Sequence, residues 1–182
     1  MPINHTSKRS QLTSKQFELI GKLMVEFSNL DYLLGTLLNR LLITPQFLGL
    51  TYTDQMMATK KIIAIENAIE IHLKRYDCRI FSEDILKQSL KIIREIKGFK
   101  SLRNKFAHYC WSRWSDEKIF GTQMTGKMPN LEKTNKDSIT ITNSELIKQY
   151  EKSYNLVENL EKILEQIPVF EENIELMNKT IK

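Results

Sequence analysis

The 182-residue chain has the length of one domain, two cysteines and a net charge of +5, so it can bury a sizeable core without disulfides or a structural metal. Cys78 and Cys110 stand in the unrelated contexts YDCRI and HYCWS, which is neither a zinc-ligand spacing nor a disulfide framework and fits a reducing cytoplasm. The polar start MPINHTSKRSQLTSK has no apolar signal core and no stretch approaches the roughly 20 apolar residues that cross a bilayer, so secretion and membrane spanning are not expected.

Residues 1–12 read as a flexible N-terminal segment and 13–182 as a single helical domain. Thr13-Ser14-Lys15-Gln16 is a capping box, in which the threonine hydroxyl and the glutamine amide satisfy orphan backbone groups. Phe17, Ile20, Met24, Phe27, Leu34, Leu38 and Leu41 then recur at helical spacing, predicting a helix to about Ile43 that Pro45 stops. Asp31 interrupts this stripe, so it either pairs with a cation or sits at the stripe's edge and reaches water.

A second helix is predicted over about 54–76, with Ile62, Ile65, Ile69, His72 and Tyr76 on one face. His72 reads as a packed histidine, because no second metal-type residue is suitably spaced. A third helix starts near Ser82, shows Ile85, Ile92, Ile96, Phe99 and Phe106 on one side, and ends around Tyr109, with Gly98 as a place for a kink. Residues 110–142 lose helical periodicity, contain Gly121, Gly126 and Pro129, and end in the alternating run Ser138–Thr142, the pattern of a β-hairpin or paired excursion. Thr142-Asn143-Ser144-Glu145 is a second capping box, opening a last helix with Ile147, Tyr150, Tyr154, Val157, Leu160, Leu164 and Ile167 inward; Pro168 ends it and a short amphipathic tail follows.

Charge is unevenly distributed along these elements. Residues 143–182 hold five lysines against eight glutamates, which leaves +8 on residues 1–142. Between Lys87 and Arg113 stand eight basic residues and the single acid Glu95. That concentration suits a polyanion, although lysine also serves solubility. On an ideal helix Asn104, His108, Lys97, Lys105 and Arg94 fall in one sector, whereas Arg103 projects toward the side of Ile92, Ile96 and Phe99. Arg103 is therefore expected beside a helix interface, where Asp31 would be its carboxylate.

Arg103-Asn104, three residues and His108 form an R-x4-H motif in its RN-x3-H variant, with Ala107 before the histidine and Trp111 after it, at the end of a long helix. In this the chain resembles HEPN domains, over about residues 16–167. The resemblance implies a mainly α fold, a HEPN-like up-and-down bundle of four to five helices with a small β-hairpin insert at about 110–142 before the last long helix. An acid commonly occupies the place of Asp31. It also implies a metal-independent endoribonuclease without cofactors, in which two copies of the motif meet across a homodimer interface and the ribose 2′-hydroxyl is the nucleophile.

In that chemistry His108 would be general acid or base, Arg103 would hold the phosphate as its charge builds, and Asn104 would orient one or the other. Lys97, Lys100 and Lys105 would bind flanking RNA phosphates, and Tyr109 or Trp111 would stack on an unpaired base; a solvated helix face and packed aromatics are the structural alternatives. The role implied is a bacterial toxin or antiviral-defence effector with a cognate antitoxin or activating protein. A toxin branch of the family has a modified tyrosine two residues after the histidine; Cys110 stands there and Tyr109 directly follows His108, so that regulation is not carried over. Gly-rich phosphate loops, GxSxG and HExxH are absent from the sequence, and Cys110 lies too close in sequence to His108 to face the same way on a helix. The competing reading is a non-catalytic module that binds RNA or a protein and uses Arg103, Asn104 and His108 to tie helices. It expects His108 buried and hydrogen-bonded, where the nuclease expects it exposed among cations.

Overall fold

The computed structural model describes residues 10–123 and 138–170. These are mainly helical: α1 (Ser14–Leu41), α2 (Gln46–Thr53), α3 (Ala58–Lys74), α4 (Glu83–His108) and α5 (Asn143–Gln166), with β1 (Cys110–Ser115), β2 (Lys118–Thr122) and β3 (Ser138–Thr142) between α4 and α5. The chain forms two compact units, which among the described residues comprise 10–28, 99–123 and 138–155, and 29–98 and 156–170. The expected domain over 13–182 draws on both. No described helix is long and apolar enough to cross a membrane.

In the first unit both capping boxes form. Thr13 N donates to Gln16 Oε1 at 2.9 Å and Gln16 N to Thr13 Oγ1 at 3.2 Å; Thr142 N donates to Glu145 Oε2 at 2.8 Å and Glu145 N to Thr142 Oγ1 at 3.1 Å. The same helix starts grip a tight turn. Gln16 Nε2 donates to the carbonyls of Ser115 and Asp116 at 3.0 and 3.2 Å, while Asn143 donates its backbone N–H to Glu117 O and its Nδ2 to Asp116 O, both at 2.9 Å. Buried amides thus satisfy carbonyls that a turn would otherwise leave to water.

That turn joins β1 to β2, and β3 pairs with the other edge of β2, giving an antiparallel sheet in the order β1-β2-β3. The region expected as one hairpin is therefore a short hairpin plus a third strand; Gly126 and Pro129 lie outside the described residues. One sheet face buries Ile119, Gly121 and Ile141 with Leu19, Leu23, Phe106 and Leu146 in the core of the unit. Gly121 lies under Trp111, and a Cβ there would fall 2.7 Å from the indole ring, so only glycine fits. Phe27 and Phe99 meet edge to face with ring centroids 6.3 Å apart. Of the expected flexible N-terminal segment, residues 1–9 lie outside the described residues, whereas Leu12 is buried and Ser10 O accepts a hydrogen bond from Arg113 N at 2.8 Å.

In the second unit the leucines of α1 from Leu30 to Leu41 pack in a core with Ile62, Ile65 and Ile69 of α3, Leu86 and Ile93 of α4 and Leu160 and Ile163 of α5. The helix α1 closes with Ile43 in the left-handed region at φ 56° and Thr44 N donating to Asn39 O at 3.0 Å. Pro45 then does more than stop α1: it is the N-cap of α2, a helix the sequence reading left out. Proline's fixed φ and missing N–H suit a helix entrance as well as an exit. The helix expected over 54–76 accordingly shortens to α3. Ser82 Oγ accepts from Ile85 N at 3.3 Å at the start of α4, which continues unbroken through Gly98. Arg40 caps the far end of α5, donating from Nη1 to the carbonyls of Leu164 and Ile167. The expected amphipathic tail beyond Phe170 lies outside the described residues.

Candidate active site

The last turns of α4 carry the motif. Phe99 and Phe106 are buried and Leu102 is half-buried, so the packed row of the helix passes one residue to the side of Arg103. Arg103, Asn104 and His108 are all exposed, as is Lys100, and Lys105 is half-buried. The expected place of Arg103 beside a helix interface is thereby corrected: Leu102 is the apolar side chain available for that contact, and the guanidinium goes to water. Its Nη1 donates to Asn104 Oδ1 at 3.4 Å, which leans the cation back toward the Asn104 side of the helix.

Asn104 and His108 stand one turn apart on one face, while Arg103 lies about 140° round from His108 at 100° per residue. Among the described residues none of Lys100, Arg103, Lys105 and His108 forms an ion pair. Lys105 and His108 occupy the last turn of the helix, where carbonyl dipoles favour positive charge. The arrangement offers a hydrated anion two or three cations, an amide and an imidazole that can take or give a proton.

The two aromatic candidates differ in use. Trp111 lies stacked on Phe106, with ring centroids 4.7 Å apart and planes 16° apart, and crosses Gly121; its indole N–H is buried without a partner among the described residues. Its faces are committed to packing. Tyr109 is half-buried, 6.2 Å from Trp111 between ring centroids.

The remaining expected site residues belong to the second unit and have partners there. Lys97 Nζ lies 3.2 Å from Glu66 Oε1, a partly exposed pair. Asp31 takes Lys61 as its cation in place of the expected Arg103: Lys61 Nζ donates to Asp31 Oδ2 and to the Asp31 backbone carbonyl, both at 3.1 Å. The reason is that Lys61 is the more demanding charge, with 3% of its side chain exposed against 44% for Asp31, and a buried ammonium requires a partner. His72 is buried as a packing residue, with Nε2 2.8 Å from Leu41 O and its ring against Phe81 and Tyr76. A carbonyl only accepts, so Nε2 carries the proton.

The sequence reading missed Lys61, and it missed the reach of Gln16 and Asn143 beyond their capping boxes to the hairpin turn. The first had a signal, since Lys61 is spaced four residues before Ile65 on the α3 face. Among the described residues no three His, Cys, Asp or Glu side chains gather closely enough to hold a metal ion. No family model matches the chain, and neither a curated protein nor a solved structure matches it.

Proposed function

We propose that this chain is a HEPN-like endoribonuclease that cleaves RNA without a metal, through the ribose 2′-hydroxyl, with its site at a dimer interface. The observation that carries the reading is the exposed end of α4, where His108 and Asn104 share a face, Arg103 leans toward them, and Lys100 and Lys105 add charge without acidic partners among the described residues. Exposure of all three motif residues favours this over the module that uses them to tie helices.

In the reaction the 2′-oxygen attacks the adjacent phosphorus as a base removes its proton, and the 5′-oxygen departs with a proton from an acid, leaving a 2′,3′-cyclic phosphate. One imidazole from each copy of a dimer would supply base and acid. Arg103 would stabilise the phosphorane charge through paired N–H donors; its offset from His108 on one helix suits a guanidinium and an imidazole contributed by different copies. A toxin or defence role, with a cytoplasmic RNA target and a cognate inhibitor or activator, follows from the same resemblance.

The test is cleavage of a mixed RNA pool by purified protein in excess EDTA, wild type beside His108→Ala, with product ends identified. Cleavage by wild type alone, leaving 2′,3′-cyclic phosphate ends, is expected. Equal cutting by both proteins, or no cutting by folded dimeric wild type, overturns the assignment.

A further inference from the structure

The sheet of the first unit has a second face that the proposed chemistry does not use. Along β1 and β2 the residues that alternate with the buried Ile119 and Gly121 are Cys110, Ser112, Lys118 and Phe120, with Thr140 on β3 opposite Phe120. Cys110, Lys118 and Thr140 are exposed and Ser112 and Phe120 half-buried. Between Arg113 and Ser115 the register with β2 slips, so that Trp114 is the extra residue of a β-bulge. Bulges re-aim side chains and are enriched beside functional sites. Here the bulged residue is a tryptophan 68% exposed to solvent, its ring tilted 44° to that of Phe120 with centroids 6.0 Å apart.

An indole left this bare forgoes the burial that usually holds tryptophan in place. The ion pair of Arg113 with Asp116 and the amides of Gln16 and Asn143 on the turn fix the backbone that presents it. Among the described residues the surroundings are hydroxyls, a thiol and a lysine, with no aliphatic side chain of the three strands on that face. An apolar protein surface would want aliphatics there, whereas a nucleobase wants a π-face with polar groups around it. β1 begins two residues after His108, which puts Trp114 within about 20 Å of it along the strand, a span a few nucleotides long.

We propose that this outward sheet face, with Trp114 as its principal ring and Phe120 beside it, is a stacking platform for unpaired bases of single-stranded RNA leading to the end of α4. The proposal rests on reading that helix end as an RNA site, and it names the substrate as unpaired RNA and Trp114 as the residue that grips it.

The test uses the full chain and a single-stranded uridine octamer with 2′-O-methyl riboses, which binds without being cut, beside a duplex of the same length. Tryptophan fluorescence is titrated for wild type, Trp114→Ala and Trp114→Phe, each checked for wild-type circular dichroism. The octamer is expected to quench wild type more strongly than the duplex does, Trp114→Ala to bind about tenfold more weakly with most of the quench lost, and Trp114→Phe to recover affinity. Unchanged octamer affinity in folded Trp114→Ala, or wild-type binding of the duplex alone, overturns the platform. Cleavage in EDTA separates this from the nuclease reading: if wild type binds through Trp114 but never cuts, the nuclease falls and the platform stands. If wild type cuts and Trp114→Ala leaves KM unchanged, the platform falls and the nuclease stands.

Discussion

Two histidines and their surroundings divide this molecule into contrasting regions. Around His72 the charged and donor groups are enclosed and held within the chain: the ring's Nε2 bonds the Leu41 carbonyl, and on the same helix Lys61 is held by Asp31, while His72 Nδ1 and Asp31 Oδ1 stay buried without a partner among the described residues. Around His108 they are open, with Arg103, Asn104 and Lys100 exposed and no ion pair among the described residues. Charge on a helix is therefore ambiguous until burial is known. In the first setting it is a structural debt already settled; in the second it remains available to something outside the chain.

The contrast predicts a crossed pair of phenotypes, and its largest effect is on catalysis. Replacing His108 by alanine is expected to lower RNA cleavage by about a hundred- to ten-thousandfold, with unfolding free energy within about 0.5 kcal/mol of wild type, as for other exposed positions. His72→Ala should do the reverse. It removes a buried ring and strands the Leu41 carbonyl, at about 2–4 kcal/mol, while cleavage per folded molecule stays the same. Urea unfolding beside single-turnover cleavage measures both. A stability loss at His108 would return that residue to the helix-tying role.

Asp31 sharpens the division, because the resemblance gives it to the site and the structure gives it to Lys61. Asp31→Ala removes the counter-charge of a buried ammonium and leaves it the backbone carbonyl of residue 31; since the acid itself is 44% exposed, the expected loss is about 2 kcal/mol, below that of a fully buried pair. Lys61→Met should cost less, because it removes the buried charge and keeps the apolar stem. Denaturation of the two variants ranks them. Loss of cleavage in Asp31→Ala at a temperature where it is fully folded would put the acid back in the chemistry.

These assignments show what the sequence made legible. Both capping boxes, the ends of α1, α4 and α5 to within two or three residues, the β region and the motif's place at a helix end could be read, because each depends on local residue types. Phe27, Leu34, Leu38 and Leu41 of α1, Val157, Leu160 and Leu164 of α5 and Ile167 just after it are buried as read, but the opening turns of both helices were read one residue off. α1 buries Gln16, Leu19 and Leu23 in place of Phe17, and α5 buries Leu146 and Ser153 in place of Tyr154. In each helix a polar residue on the packed row disguised it: Gln16 spends its amide on turn carbonyls, and Ser153 donates its hydroxyl to Tyr150 O at 2.8 Å. Partners distant in sequence carry no local signature, which is why the Gln16 and Asn143 grip on the hairpin turn and the Asp31–Lys61 pair emerged only with the fold.

The smallest expected effect compares the two capping boxes themselves. They have the same geometry, but α1 closes its box with the neutral Gln16 and α5 with the carboxylate of Glu145. Hydrogen bonds from the Thr142 backbone N–H and then its hydroxyl hold the Glu145 carboxyl below its ordinary 4.5. A carboxyl lowered on folding stabilises above its unfolded value, and that contribution is lost as pH falls below about 4.5 through the lower folded value. Glutamine fits the same box, so Glu145→Gln removes the charge and keeps the shape. The variant should be roughly 0.3 kcal/mol less stable than wild type at neutral pH, a small figure because the carboxylate faces solvent. In urea titrations repeated toward pH 3 the two proteins should converge. A difference that persists unchanged in acid would mean that the box at α5 works, like the one at α1, through hydrogen-bond geometry alone.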